Sequence, residues 1–122
     1  MVKNSDFKLY NMSTDLYNYL RVNIVYCIPK IHNDLRIHLL DESYNLIKCI
    51  VSASFTKGNV RNKYINDSLI TISMLDALLS IVMNIDSIDK KKVSTSIGQL
   101  ANIKNIIYAW KNKLNDNEKG SN

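Results

Sequence analysis

The sequence predicts an all-α protein, folded as an antiparallel up-and-down four-helix bundle. Three observations lead there. The 122 residues include only 3 Gly and 1 Pro, too few breakers for a chain of short strands and turns. Apolar residues recur at helical spacing over four long stretches. The breaks between those stretches fall at Ile28-Pro29, Thr56–Asn59 and Asn84–Ser87, and each is short enough to fold one helix back along its neighbour. A chain of this length forms one domain, residues 1–122, able to bury a core without disulfides or metals.

The first helix is expected to open with Ser13 or Thr14 as its cap and to run from about Asp15 to Cys27. Leu16, Leu20, Ile24 and Cys27 then lie on one stripe, which Leu9 and Met12 extend if the N-terminal arm docks. Pro29 ends that helix, because it lacks an amide hydrogen and clashes with a preceding turn. Proline also suits the first position of a new helix, so a second follows at once, from near Lys30 to about Phe55. Its expected inward face is Ile31, Leu35, Leu39, Leu40, Tyr44, Ile47, Ile50, Val51 and Ser54, on a rod about 37 Å long. Gly58 supplies a left-handed cap there, and Asn59 can cap what comes next.

The third helix, about Val60 to Ile85, is apolar over more than one face. Ser73, Asp76, Ser80 and Asn84 crowd into one narrow polar strip, interrupted by Leu69. The apolar residues from Ile70 to Ile85 fill most of the remaining circumference, well beyond the roughly 100° that one core needs. Since no helix of a simple four-helix bundle is central, the surplus calls for a subunit interface, and Ile70, Met74, Leu78, Ile81 and Ile85 are the candidates. A membrane span from Leu69 to Ile85 is the rival. It is short, and Asp76 at its centre would cost about 2.5–3.5 kcal/mol. Asp89 caps the fourth helix, which is expected to reach about Leu114 along the stripe Val93, Ile97, Leu100, Ile103, Ile107, Trp110 and Leu114. The ordered core is thus expected over about 13–114, with a polar, disordered tail over 115–122.

Catalytic signatures are missing from the sequence. Gly58, Gly98 and Gly120 are isolated, so no phosphate-cradling loop exists. His32 and His38 point to different sides of one helix, and neither they nor Cys27 and Cys49 show metal-ligand spacing. A di-iron bundle would need a Glu-x-x-His pair on each of two helices, and neither is present. No nucleophile is recognisable by local signature. The expectation is therefore a protein without catalytic residues, metal or cofactor. The two cysteines read as reduced core residues, and the polar N-terminus, Met1 to Lys8, shows no signal peptide; a cytoplasmic protein is expected.

Net charge is +5, from 16 Lys+Arg against 11 Asp+Glu, which makes polyanions plausible partners. The cations cluster. Lys57, Arg61 and Lys63 surround the second turn; Lys90, Lys91 and Lys92 open the fourth helix, where the helix dipole disfavours them. Lys104, Tyr108 and Lys111 share a face at i, i+4 and i+7, and Lys30, His32 and Arg36 form a further candidate patch at the hairpin end. A basic edge with an interleaved aromatic suits a phosphate backbone and an occasional stacked base. The plainer alternative is that lysine stems cover apolar surface while Tyr108 packs at the bundle rim.

Taken in order, Tyr26-x-Ile28-Pro29-Lys30-x-His32, then Val60-Arg61-Asn62-Lys63-Tyr64, a Leu-rich third helix and Ala109-Trp110-Lys111 form a pattern. It resembles the accessory variability determinant (Avd) proteins of diversity-generating retroelements and the wider bundle family encoded in ribosomal RNA intervening sequences. The likeness spans roughly Leu16 to Leu114. It implies a non-enzymatic bundle that forms a ring-like homopentamer, associates with a reverse transcriptase and binds template RNA or cDNA through basic surfaces. The chain departs from the family where an arginine pair is usual in the third helix, reading Leu75-Asp76-x-x-Leu79-Ser80, and where it has Ile103-Lys104-Asn105 in place of Ile-Gly-Arg. Those departures shift the expected cationic contact to Lys57, Arg61, Lys63 and the Lys90–Lys92 run. A protein-only scaffold of the intervening-sequence type is the alternative.

Overall fold

The structure, a computed structural model, describes the backbone of residues 4–120 and the side chains of residues 6–112. Among these residues the protein is all-α, with four α-helices and no strand: α1 (Asn4–Tyr19), α2 (Asn33–Ser54), α3 (Gly58–Met83) and α4 (Lys90–Gly120). Helix α2 packs along α1 and α3, and α4 along α3 and α1, so the four enclose one core. Leu16, Leu39, Leu75, Leu79, Val93 and Leu100 are fully buried in it.

Helix α1 starts well before the expected cap. Ser13 and Thr14 are interior residues whose hydroxyls donate to the carbonyls of Tyr10 and Asn11, at 2.9 and 3.0 Å. A serine or threonine inside a helix can return its hydroxyl to the preceding turn in this way, so its presence alone does not mark a start. The early turns are held from within: Leu9 is fully buried and Met12 half-buried, as the extended stripe requires.

Beyond Tyr19 the helix changes pitch. Leu20–Ile24 form a π-helical turn, with the Val25 amide donating to the Leu20 carbonyl, and Val25–Cys27 tighten into a 3-10 turn. The change corrects one expected core position. In an α-helix each four-residue step drifts by about 40°, so Leu16, Leu20, Ile24 and Ile28 would turn steadily off one face. The wider π turn absorbs the extra residue and keeps all four in phase, each fully buried. Cys27, expected in that stripe, is only half-buried.

Pro29 precedes the next helix and is not its first residue: at φ −58° and ψ 150° it is extended, and a 3-10 turn, Lys30–His32, leads into α2. The junction is fastened from α2 by Arg36, whose Nε donates to the Ile28 carbonyl at 2.8 Å while its Nη2 donates to the same oxygen. The buried stripe of α2 is Leu35, Leu39, Ser43, Leu46, Cys49, Ile50 and Ala53. Ile31 and Tyr44, expected inside, are exposed. Ile31 lies in the 3-10 turn, outside the α-helical phase assumed for it, and Tyr44 sits across the helix from Leu46.

Gly58 has φ +61°, the left-handed conformation expected of it, and α3 begins at that residue. Asn59 is therefore inside α3 and does not cap it. Asp89 does cap α4: its Oδ1 accepts from the Lys91 and Lys92 amides at 3.0 and 3.4 Å. Val93, Leu100, Ile103, Ile107 and Trp110 are buried as expected, Ser96 joins them, and Ile97 is half-buried. Helix α4 continues through Gly120, past the expected end at Leu114. The Leu114 side chain, those of the tail, and residues 121–122 lie outside the described residues.

Candidate interaction surfaces

The apolar surplus of α3 is partly consumed by the chain itself. Leu78 is buried in the core and Ile85 is half-buried against it, so both spend apolar surface on the chain's own packing. Ile70, Met74 and Ile81 remain 64%, 47% and 52% exposed. With the exposed Ala77 they recur at i, i+4, i+7 and i+11, the spacing of a seam along one helix flank. Ser73 and Ser80 border that seam on the same helix, each donating its hydroxyl to a carbonyl one turn back. On the other border, the Asn45 amide of α2 donates to the Thr71 hydroxyl at 3.1 Å. A groove of about 350 Å³ opens there between α2 and α3, lined by Asn45, Lys48, Cys49, Ser52, Tyr64, Asp67, Ile70 and Thr71. Among the described residues α3 is also the one helix long and apolar enough to cross a membrane, by length and composition alone.

The expected cationic residues separate into two kinds. Arg36 and Arg61 are structural. Arg36 holds the α1–α2 junction, as above. Arg61 stacks over Trp110, 4.5 Å from the ring centroid, with its Nη2 3.7 Å from Oδ1 of the buried Asp6. Neither Asp6 Oδ1 nor Arg61 Nε has a hydrogen-bond partner among the described residues. The pair therefore ties the starts of α1 and α3 to a tryptophan late in α4. It offers a phosphate little, because burial and the ring already occupy the guanidinium. Sequence spacing could not reveal this, since Asp6 lies outside the stretch expected to be ordered.

The remaining cations are more available. Lys30, Lys57, Lys63, Lys90 and Lys91 are exposed, while His32, Lys92, Lys104 and Lys111 are half-buried. Lys63 lies over the Tyr64 ring at 5.4 Å. Tyr108 is 44% exposed between Lys104 and Lys111 on α4. One exposed site escaped the sequence reading. Tyr26 and Ile31 are 84% and 85% exposed in the turns that join α1 to α2, a stretch in which Val22, Arg21 and Lys30 are exposed too. The signal was the lack of any acidic residue from Leu16 to Asn33.

Two further features have limited chemistry. A groove of about 380 Å³ between α1 and α2 is lined by Asp6, Phe7, Tyr10, Ile50, Val51, Ser54 and Phe55, mostly apolar. Cys27 and Cys49 are free thiols, and Cys49 is held above the usual thiol range, chiefly by burial and then by the nearby Asp67 charge. Among the described residues no three His, Cys, Asp or Glu side chains are grouped to hold a metal ion. No family model matches the chain, and no curated protein or solved structure matches it.

Proposed function

We propose that this chain is a non-catalytic accessory protein of the Avd-like kind. In this reading it is an antiparallel up-and-down four-helix bundle whose copies associate through α3 into a homo-oligomer, a pentameric ring by the resemblance. It acts in the cytoplasm beside a reverse transcriptase and template RNA or cDNA, without a cofactor or a membrane. The antiparallel order is supported by the short connections and by the residues that share grooves. Asn45 meets Thr71 across α2 and α3, while Lys8 and Met12 share a groove with Asn102 and Ile106 across α1 and α4. The Ile28-Pro29-Lys30-x-His32 hairpin supports the family reading.

The observation that carries the proposal is the exposed seam Ile70, Met74, Ala77 and Ile81. Three large apolar side chains, Ile70, Met74 and Ile81, 47–64% exposed along one helix flank are the kind of surface that marks an interface. The test is solution mass by light scattering, with Met74→Glu and Ile81→Glu as variants. The expected result is a multiple of the 14.0 kDa chain that both charges dissociate. A 14.0 kDa particle at every concentration would refute self-association through α3.

A protein-only scaffold is the second reading, favoured by the structural use of Arg36 and Arg61, which removes two cations from the nucleic-acid set. Retention of labelled template RNA across a salt titration separates the two, using Lys57→Ala and Lys63→Ala. The accessory reading expects weaker, salt-sensitive retention in the variants; the scaffold reading expects no retention at low salt in any form.

A further inference from the structure

We propose that the tip of the α1–α2 hairpin is a docking surface for single-stranded nucleic acid, with Tyr26 as its stacking platform. The inference rests on the nucleic-acid half of the reading above and names where and in what form the strand binds. Tyr26 is the most exposed aromatic side chain among the described residues, at 84%. It stands at the end of the π and 3-10 turns, which carry Val22 and Tyr26 outward as they hold Leu20, Ile24 and Ile28 inward. The ring is presented on a fixed support, because the carbonyl two residues after it is gripped by Arg36.

Charge at the tip is mainly positive, with Asp34 in the first turn of α2 as its nearest carboxylate. Lys30 lies within it, Arg21 stands a turn before Tyr26 with its Nη2 donating to Asn18 Oδ1 at 3.4 Å, and no carboxylate occurs from Leu16 to Asn33. In the antiparallel order proposed above, the α3–α4 connection lies at the same end, adding Lys90, Lys91 and Lys92 against Asp86 and the capping Asp89. Phosphates would be met by the lysines, and an unpaired base by the Tyr26 face, with Ile31 and Val22 as apolar shoulders. A duplex offers no free base face to the ring, which is why the strand must be single. An anionic membrane would also meet the cations, but three apolar side chains are a small payload for anchoring to one.

The test is fluorescence anisotropy of the full chain with labelled oligouridylate, the matched duplex, and phosphatidylserine-containing vesicles. Expected are binding to the single strand in preference to the duplex, a loss of about tenfold or more in Tyr26→Ala, and near-wild-type binding in Tyr26→Phe. Lys30→Ala should lower the salt slope by about one phosphate contact. Unchanged oligouridylate binding in Tyr26→Ala, with loss in Lys57→Ala and Lys63→Ala, would overturn the tip and leave the accessory reading standing. Equal binding of duplex, or binding of vesicles alone, would overturn the stacking surface. Wild-type protein that binds no oligonucleotide at low salt would remove the nucleic-acid reading and this inference with it.

Discussion

Replacing Ile28 by alanine isolates the consequence of the π turn. The Ile28 side chain is fully buried, whereas its neighbour Cys27 is half-buried. Ile28→Ala deletes three carbons, which at about 0.8 kcal/mol each gives about 2.4 kcal/mol of lost burial. The cavity left behind raises the expected cost to about 3–4 kcal/mol. The backbone carbonyl gripped by Arg36 is unchanged, so the loss reports the side chain alone. Cys27→Ala should cost less than about 1 kcal/mol, in the range of partly exposed positions. Urea unfolding followed by circular dichroism reads both. With a slope of about 2 kcal/mol per molar, the Ile28→Ala midpoint should fall by roughly 1.5–2 M and that of Cys27→Ala by under about 0.5 M. If the alanine variant does not fold, Ile28→Val should still cost about 0.5–1.5 kcal/mol. Equal losses at the two positions, or a larger loss at Cys27, would mean that the helix continues in α-helical phase and that the account of the π turn is wrong.

Five further outcomes follow from the same structure. Gly58→Ala should destabilise by about 1 kcal/mol, because φ +61° is costly for a residue with a Cβ although nothing lies within 4 Å of one. Gly98→Ala, equally open but inside exposed α4, should stabilise by up to about 1 kcal/mol in the same urea assay. Arg61→Ala should cost about 3 kcal/mol, since it strands the buried Asp6 carboxylate and uncovers Trp110, and the double variant with Asp6→Ala should recover part of that loss. Ellman's reagent should label Cys27 well before Cys49. The raised Cys49 pKa also means that the native state holds this proton more tightly than the unfolded chain. Stability should therefore fall as pH rises above the ordinary thiol range, and Cys49→Ala should blunt that fall.

The helical stretches, the breaks at Pro29 and Gly58, the Asp89 cap and the stripe of α4 could all be read from residue types and spacing, because each depends on chain-local sterics or on a period of 3.6. The apolar excess of α3 was equally readable, though not its division: Leu78 goes to the chain's own core and Ile70, Met74 and Ile81 stay outside. The candidate cations were identifiable as charges but not as free ones. Arg36 and Arg61 are occupied by an oxygen eight residues back and by a ring from another helix.

Sequence alone therefore determined the class of structure and the position of its breaks, since dihedral limits and side-chain periodicity act within a few residues. Tertiary packing decided which phase the end of the first helical segment adopts, where α1 begins, and which charged groups remain free. Those outcomes depend on what lies across the core: a turn widens to i+5 because α2 and α4, packed against it, reward keeping Ile24 and Ile28 inside, and an arginine is withdrawn because Asp6 and Trp110 are brought to it.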